Sequence, residues 1–166
     1  MPSKEQITLD TILEQFRADA RNNRDLGDRF ERLMVRYFEL DPLYADRFSH
    51  VWLWNDWPDK GNVGDVGIDL VARERATGNY CAIQCKFFLP EHSISKEDID
   101  SFFTAFGRDP FTSGMIVSTT DHWGKNAEDA LNQSKPVTHP GTQISRFAPS
   151  ELSTLAMNSQ VRTLKS

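Results

Sequence analysis

The segment Tyr80-Cys81-Ala82-Ile83-Gln84-Cys85-Lys86-Phe87 constrains this chain more than any other, because an apolar strand there carries an amide and an ammonium at alternate positions. Side chains alternate across a strand, so Gln84 and Lys86 point to one face while Ile83, Cys85 and Phe87 point to the other. A lysine in such a strand calls for a nearby anion, since an unpaired interior charge is costly. The preceding stretch Gly64-Asp65-Val66-Gly67-Ile68-Asp69-Leu70 supplies carboxylates, and only Arg73 to Asn79 intervenes as a turn. Asp69, Gln84 and Lys86 are therefore expected to converge on one side of a hairpin.

The elements around this hairpin follow from periodicity. Leu9, Ile12, Leu13, Phe16 and Ala20 recur at helical spacing after Thr8, which predicts a helix over about 8–20. A second helix is predicted from about Arg24 to Leu40, stopped by Asp41-Pro42, with Leu26, Phe30, Leu33, Met34 and Tyr37 as its buried stripe. Glu31 falls at the edge of that stripe beside Phe38. Arg29, Arg32 and Arg36 fall on the opposite flank, as a solvated face first and phosphate or docking contacts second. Val51-Trp52-Leu53-Trp54 reads as an aromatic strand, Asn55 to Asn62 as turn chemistry, and Gly67 to Arg73 as the next strand. After the Gln84/Lys86 strand come a helix capped by Ser95 and ending at Gly107, and a continuous apolar strand Gly114 to Ser118. A helix from Trp123 to Ser134, a strand from Gln143 to Phe147 and a short helix from Pro149 to Met157 complete the pattern. Two helices, three strands and then alternating helices and strands predict a three-layer α/β domain. Its early strands form an antiparallel meander and its later ones are added by helical crossovers, giving a mixed sheet. The unit is expected to span residues 1–157, with a helical part at 8–47, a core at 48–147, and 158–166 as a linker or tail.

An acid inside a strand is disfavoured by propensity, so Asp69 points to a bound cation, whereas Asp65 reads as a turn residue. A hard ion such as Mg²⁺ needs only one or two carboxylates among its oxygen ligands; Asp69, Glu31 and the Cys85 backbone carbonyl could supply them. Lys86 could then orient or deprotonate an attacking water, or neutralise charge growing on a phosphoryl oxygen. The competing reading is a purely structural ion pair between Asp69 and Lys86. Glycines 61, 64 and 67 do not form a phosphate loop, because no Gly-Lys-Ser/Thr comes after them and a strand is next. His50, His92, His122 and His139 lack metal-ligand spacing. Ser118, Thr119 and Thr120 end a buried strand, where they could bond phosphate or, more commonly, cap the next helix.

Taken together, Gly67-Ile68-Asp69-Leu70, Gln84-Cys85-Lys86, Met115-Ile116-Val117-Ser118-Thr119-Thr120 and the helix glutamate in Phe30-Glu31-Arg32-Leu33 resemble the Mrr-type branch of the PD-(D/E)xK nucleases. The resemblance covers about residues 25–147. That branch has Gln-x-Lys where the wider superfamily has Glu-x-Lys, so Gln84 removes one negative charge. The lead-in Val51-Trp52-Leu53-Trp54-Asn55-Asp56-Trp57-Pro58 and the run Asp98-Ile99-Asp100-Ser101-Phe102 further resemble nuclease domains at the N-termini of helicase-containing restriction enzymes, the type ISP kind among them. The resemblance implies a three-layer α/β/α restriction-endonuclease-like fold around a mixed sheet of about five strands. It also implies a DNA endonuclease dependent on Mg²⁺, with Mn²⁺ as a substitute, and catalytic positions at Asp69, Gln84, Lys86 and Glu31. Helicase and target-recognition domains of the same polypeptide are the implied partners. A junction resolvase-like nuclease and a non-catalytic DNA-binding or docking module are the alternatives.

Composition agrees with this picture and narrows it. A net charge of −5 and a pI near 5.3 argue against a free-standing tight nucleic-acid binder, so another domain is expected to hold the DNA. Cys81 and Cys85 would sit about 13 Å apart on one strand, which excludes a mutual disulfide. Free thiols, the absence of an apolar run of membrane-spanning length and the polar start Met1-Pro2-Ser3-Lys4-Glu5-Gln6 point to the cytoplasm.

Overall fold

Each face of the central sheet carries its own apolar cluster, and the two clusters divide the helices between them. A computed structural model describes residues 9–61, 67–89, 91–120, 122–133 and 143–147. Its helices are α1 (Leu9–Asp19), α2 (Asn23–Leu40), α3 (Pro42–Arg47), α4 (Lys96–Phe106) and α5 (Lys125–Gln133); its strands are β1 (Phe48–Leu53), β2 (Leu70–Glu74), β3 (Tyr80–Lys86), β4 (Phe111–Ser118) and β5 (Gln143–Phe147). The strands lie in the order β1-β2-β3-β4-β5. The first three pair antiparallel and the last three parallel, the mixed sheet expected from the element order. None of the described helices is long and apolar enough to cross a membrane.

Alternation along the strands builds the two cores. Leu70, Ala72, Cys81, Ile83, Met115 and Val117 meet Phe30, Leu33, Met34, Tyr37 and Phe38 of α2 on one face. Val71, Ala82 and Ile116 meet Ile99, Phe102, Ala105 and Phe106 of α4 and Ala127 of α5 on the other. Residue 114 must be glycine for α4 to approach this closely, because a Cβ there would come within 2.9 Å of the Phe106 ring.

The helix α2 begins where Asn22 accepts from the Asp25 backbone N–H, and it stops at Asp41 as expected. From Asp41 to Asp69 the chain departs from expectation at three places. Asp41-Pro42 ends α2 but also opens α3, with the Asp41 side chain accepting from the Leu43 N–H and Pro42 in the first turn. β1 starts three residues earlier than the aromatic run suggests, and Trp54 begins a single turn of 3-10 helix instead of ending the strand. β2 starts at Leu70, so Asp69 stands just before the strand and not within it. The expected helix at 149–157, the tail at 158–166 and the Asp65 turn lie outside the described residues.

Candidate active site

The strands β2 and β3 part company at Asp69, and the separation is built from main-chain bonds. The Asp69 N–H donates to the Ile83 carbonyl at 2.9 Å, and the Asp69 carbonyl accepts from the Trp54 N–H at 2.8 Å. Its carboxylate then takes the Cys85 N–H at 2.8 Å, where a ladder carbonyl would otherwise be. A strand residue projects its N–H and C=O to the same side. The Cys85 carbonyl therefore faces the opening that the Asp69 carboxylate occupies.

From the α2 side comes Glu31. Its carboxyl is pushed up to about 8, first by burial, then by the charge of Asp69 and a hydrogen bond with it, and then by Asp28. Two acids thus stand close enough at this opening that one keeps its proton at neutral pH. The Cys85 thiol, on the same face, is held well above its ordinary range by burial and by the charges of Asp69 and Glu31. Cys81, fully buried further along β3, is pushed up to about 11 by burial; both thiols are free.

Gln84 and Lys86 point to the opposite face, as alternation requires, with Ala82. The Gln84 amide donates to the Gly67 carbonyl at 3.2 Å, which fixes the orientation of the side chain. Its Oε1 is buried and has no hydrogen-bond partner among the described residues, an acceptor of the kind that costs about 1–3 kcal/mol unless something donates to it or binds it. Gly67, whose φ is 87°, packs against Ser101 of α4, where a Cβ would lie 3.1 Å from the hydroxyl oxygen. Lys86 is half-buried and forms no ion pair among the described residues, so the competing structural Asp69–Lys86 pair is not made. The four residues do not lie over one face of the hairpin. Glu31 approaches from the α2 side, Gln84 and Lys86 bracket Cys85 on the α4 side, and Asp69 sits at the end of the strand pair between them.

A cleft of about 710 Å³ opens over this point, lined by Asp28, Glu31, Asp69, Arg24, Arg32 and residues of the β1 turn. Asp28 and Arg24 escape the sequence reading, although their spacing from Glu31 and from each other (i, i+3 and i, i+4) was the signal that could have found them. Arg32 corrects it. The residue lies one position from Glu31, and a long guanidinium stem reaches round the helix into the same cleft. Arg29 and Arg36 do behave as a solvated face, paired with Asp25 and Glu39 at 3.1 Å each.

The hydroxyl residues at the end of β4 are not among those lining this cleft, and their bonds to Phe88, His92, Thr120 and His122 do not go to the first turn of a helix. Ser118, Thr119 and Thr120 are buried, and their oxygens join loops. The Thr119 hydroxyl donates to the Phe88 carbonyl at 2.8 Å and accepts from the Phe88 N–H at 2.7 Å. That of Thr120 donates to the His92 carbonyl at 3.0 Å, and that of Ser118 accepts from the Thr120 N–H. α5 begins only at Lys125.

The donor set suits a hard cation. Among the described residues no three His, Cys, Asp or Glu side chains form a ligand cluster. Mg²⁺, however, is held through one or two carboxylates and keeps several waters. Two acids forced together beside an inward-facing carbonyl meet that need and fall short of a zinc site.

Comparison with known proteins agrees with this architecture. A search of solved structures matches a chain described as "ATP-dependent Type ISP restriction-modification enzyme LlaBIII bound to DNA". Identity is 30% and the TM-score 0.65 over 84% of this chain, but the match covers 8% of that one. It also matches the "MspJI Restriction Endonuclease in Complex with 27-mer Oligonucleotide" at 20% identity and a TM-score of 0.56, over 96% of this chain and 32% of that one, a likeness of fold. The chain thus spans a small part of the type ISP enzyme and about a third of MspJI. Curated proteins gave no match. Residues 39–160 match the family model Mrr_cat_2, described as restriction endonuclease. With the greater part of its length under that model and a restriction-endonuclease-like mixed sheet, the chain belongs to the restriction endonuclease family.

Proposed function

We propose that this domain hydrolyses DNA phosphodiesters with the help of a divalent cation, Mg²⁺ by preference and Mn²⁺ as a substitute, held by Asp69, Glu31 and the Cys85 carbonyl. The observation that carries the reading is the forced approach of Glu31 to Asp69, which leaves one acid protonated until a cation takes the proton's place. When bound, the ion would polarise a phosphoryl oxygen and lower the pKa of a water at the site. Asp69 is the better fixed of the two acids, since its main chain is pinned by Trp54 and Ile83 and its carboxylate by the Cys85 N–H. Lys86, which forms no ion pair among the described residues, positions the attacking water or balances charge growing on the phosphate. Gln84 ties β3 to the Gly67 carbonyl and turns inward an oxygen that has no partner among the described residues, which a water or the ion's hydration shell would satisfy.

In this reading the products carry a 5′-phosphate and a 3′-hydroxyl. Residues 1–157 act as one unit, and 158–166 lead toward helicase and target-recognition domains of a longer cytoplasmic enzyme. The share of the type ISP chain that is matched and the net charge of −5 both support a cutting module that leaves DNA capture to others. Asp69→Ala and Lys86→Ala should each lower cleavage by at least about a hundredfold without changing the melting temperature by more than a few degrees. Cleavage of supercoiled plasmid by purified variants in Mg²⁺, read beside their thermal melts, tests this. Wild-type rates in the Asp69→Ala protein would reject the catalytic assignment.

A further inference from the structure

Two arginines line the acidic cleft without neutralising it. Arg24 and Arg32 stand one helical turn to either side of Asp28, and both are exposed. Such i, i+4 spacing is where guanidinium and carboxylate pair on a helix. Arg29 and Asp25 do so one position along the same helix. Neither Arg24 nor Arg32 forms an ion pair among the described residues. Asp28, their common neighbour, is turned toward Glu31 instead. Two permanent positive charges are thereby left at the rim, on backbone positions about 12 Å apart along the helix axis at 1.5 Å per residue.

A polyanion approaching this opening meets carboxylates on a chain of net charge −5, so it needs compensating cations at the rim. The guanidinium fork matches two phosphate oxygens at once. Phosphates along one strand of a duplex advance about 3.4 Å each along the axis, so the two arginines span roughly three nucleotides. We infer that Arg24 and Arg32 bind backbone phosphates on either side of the phosphodiester presented to Asp69 and Glu31. This inference rests on the reading of the cleft as a DNA-cleaving site.

Binding of a fluorescently labelled duplex, followed by anisotropy in EDTA across a salt series, tests it apart from catalysis. Arg24→Ala and Arg32→Ala should each weaken binding about tenfold at low salt. Each should also lower the slope of log affinity against log salt by about 0.9. Arg24→Lys and Arg32→Lys should recover the slope but not the full affinity, because the bidentate fork is lost. Arg29→Ala and Arg36→Ala, whose partners are already on the helix, should bind as the unsubstituted chain does. A variant that fails to melt cooperatively is replaced by its lysine counterpart. Unchanged affinity and slope in the Arg24 and Arg32 variants, an equal loss in the two controls, or no binding by the unsubstituted chain would overturn the inference. Parallel Mg²⁺ cleavage separates the two readings. Loss of cleavage in Asp69→Ala beside unchanged arginine variants rejects only the phosphate contacts. Arginine-dependent binding without cleavage by the unsubstituted chain rejects only the catalytic reading.

Discussion

Glu31 and Asp69 give the cation-free protein a pH dependence whose sign is fixed by geometry. The folded state holds the Glu31 carboxyl near 8 against an ordinary value of 4.5. Between those values the folded chain keeps a proton that the unfolded chain has lost, so stability falls as pH rises from about 4.5 to about 8. In EDTA, Glu31→Gln should flatten that decline and raise the melting temperature above the parent's at pH 8. Thermal melts of both proteins from pH 4.5 to 9 check it, and parallel curves would mean that Glu31 titrates normally. Added Mg²⁺ should stabilise the parent most at high pH and release a proton below it, which calorimetry in buffers of different ionisation enthalpy reads directly. Asp69 was legible because an acid among apolar neighbours is out of place, and Glu31 because it falls at a stripe's edge. Arg32 was not, since a helical wheel reports where a Cβ points and not where a long stem ends. Nor were the Ser118 to Thr120 roles, because a hydroxyl's partner is chosen by the fold: Thr119 bonds Phe88, thirty-one residues away in sequence.

At the scale of elements, α4 packs closely on β4 in the α4-side core, and Gly114 makes this possible. A side chain there meets Phe102 and Phe106 at 3.0 Å or less. Gly114→Val should therefore destabilise the fold by about 1–3 kcal/mol, the usual cost of overpacking. Urea titration with unchanged m-value measures it, and a loss well below that range would mean that α4 shifts freely. Most elements were legible to within a turn, since α2, α4 and β5 have clear periodicity or clear ends. α3 was missed because Asp-Pro signals both a stop and a start, and nothing local distinguishes them. Strand starts were misplaced at β1, β2 and β4 because a ladder begins where a partner is available, which no single segment encodes.

Over the whole molecule, the two cores offer separate optical reporters. All four tryptophans (Trp52, Trp54, Trp57 and Trp123) belong to the α4 and α5 side, while Tyr37 and Tyr44 lie on the α2 side. If the sheet couples its two faces as one cooperative unit, tryptophan fluorescence and far-ultraviolet circular dichroism should give the same unfolding midpoint. Two midpoints would show that one layer opens first. The spatial order of the strands also repeats their order in the chain. No strand has to be threaded between two already joined, so during synthesis each new one can dock on the current outer edge. Docking from the N-terminus onward means that each strand, as it emerges from the ribosome, covers the margin left open by the one before it.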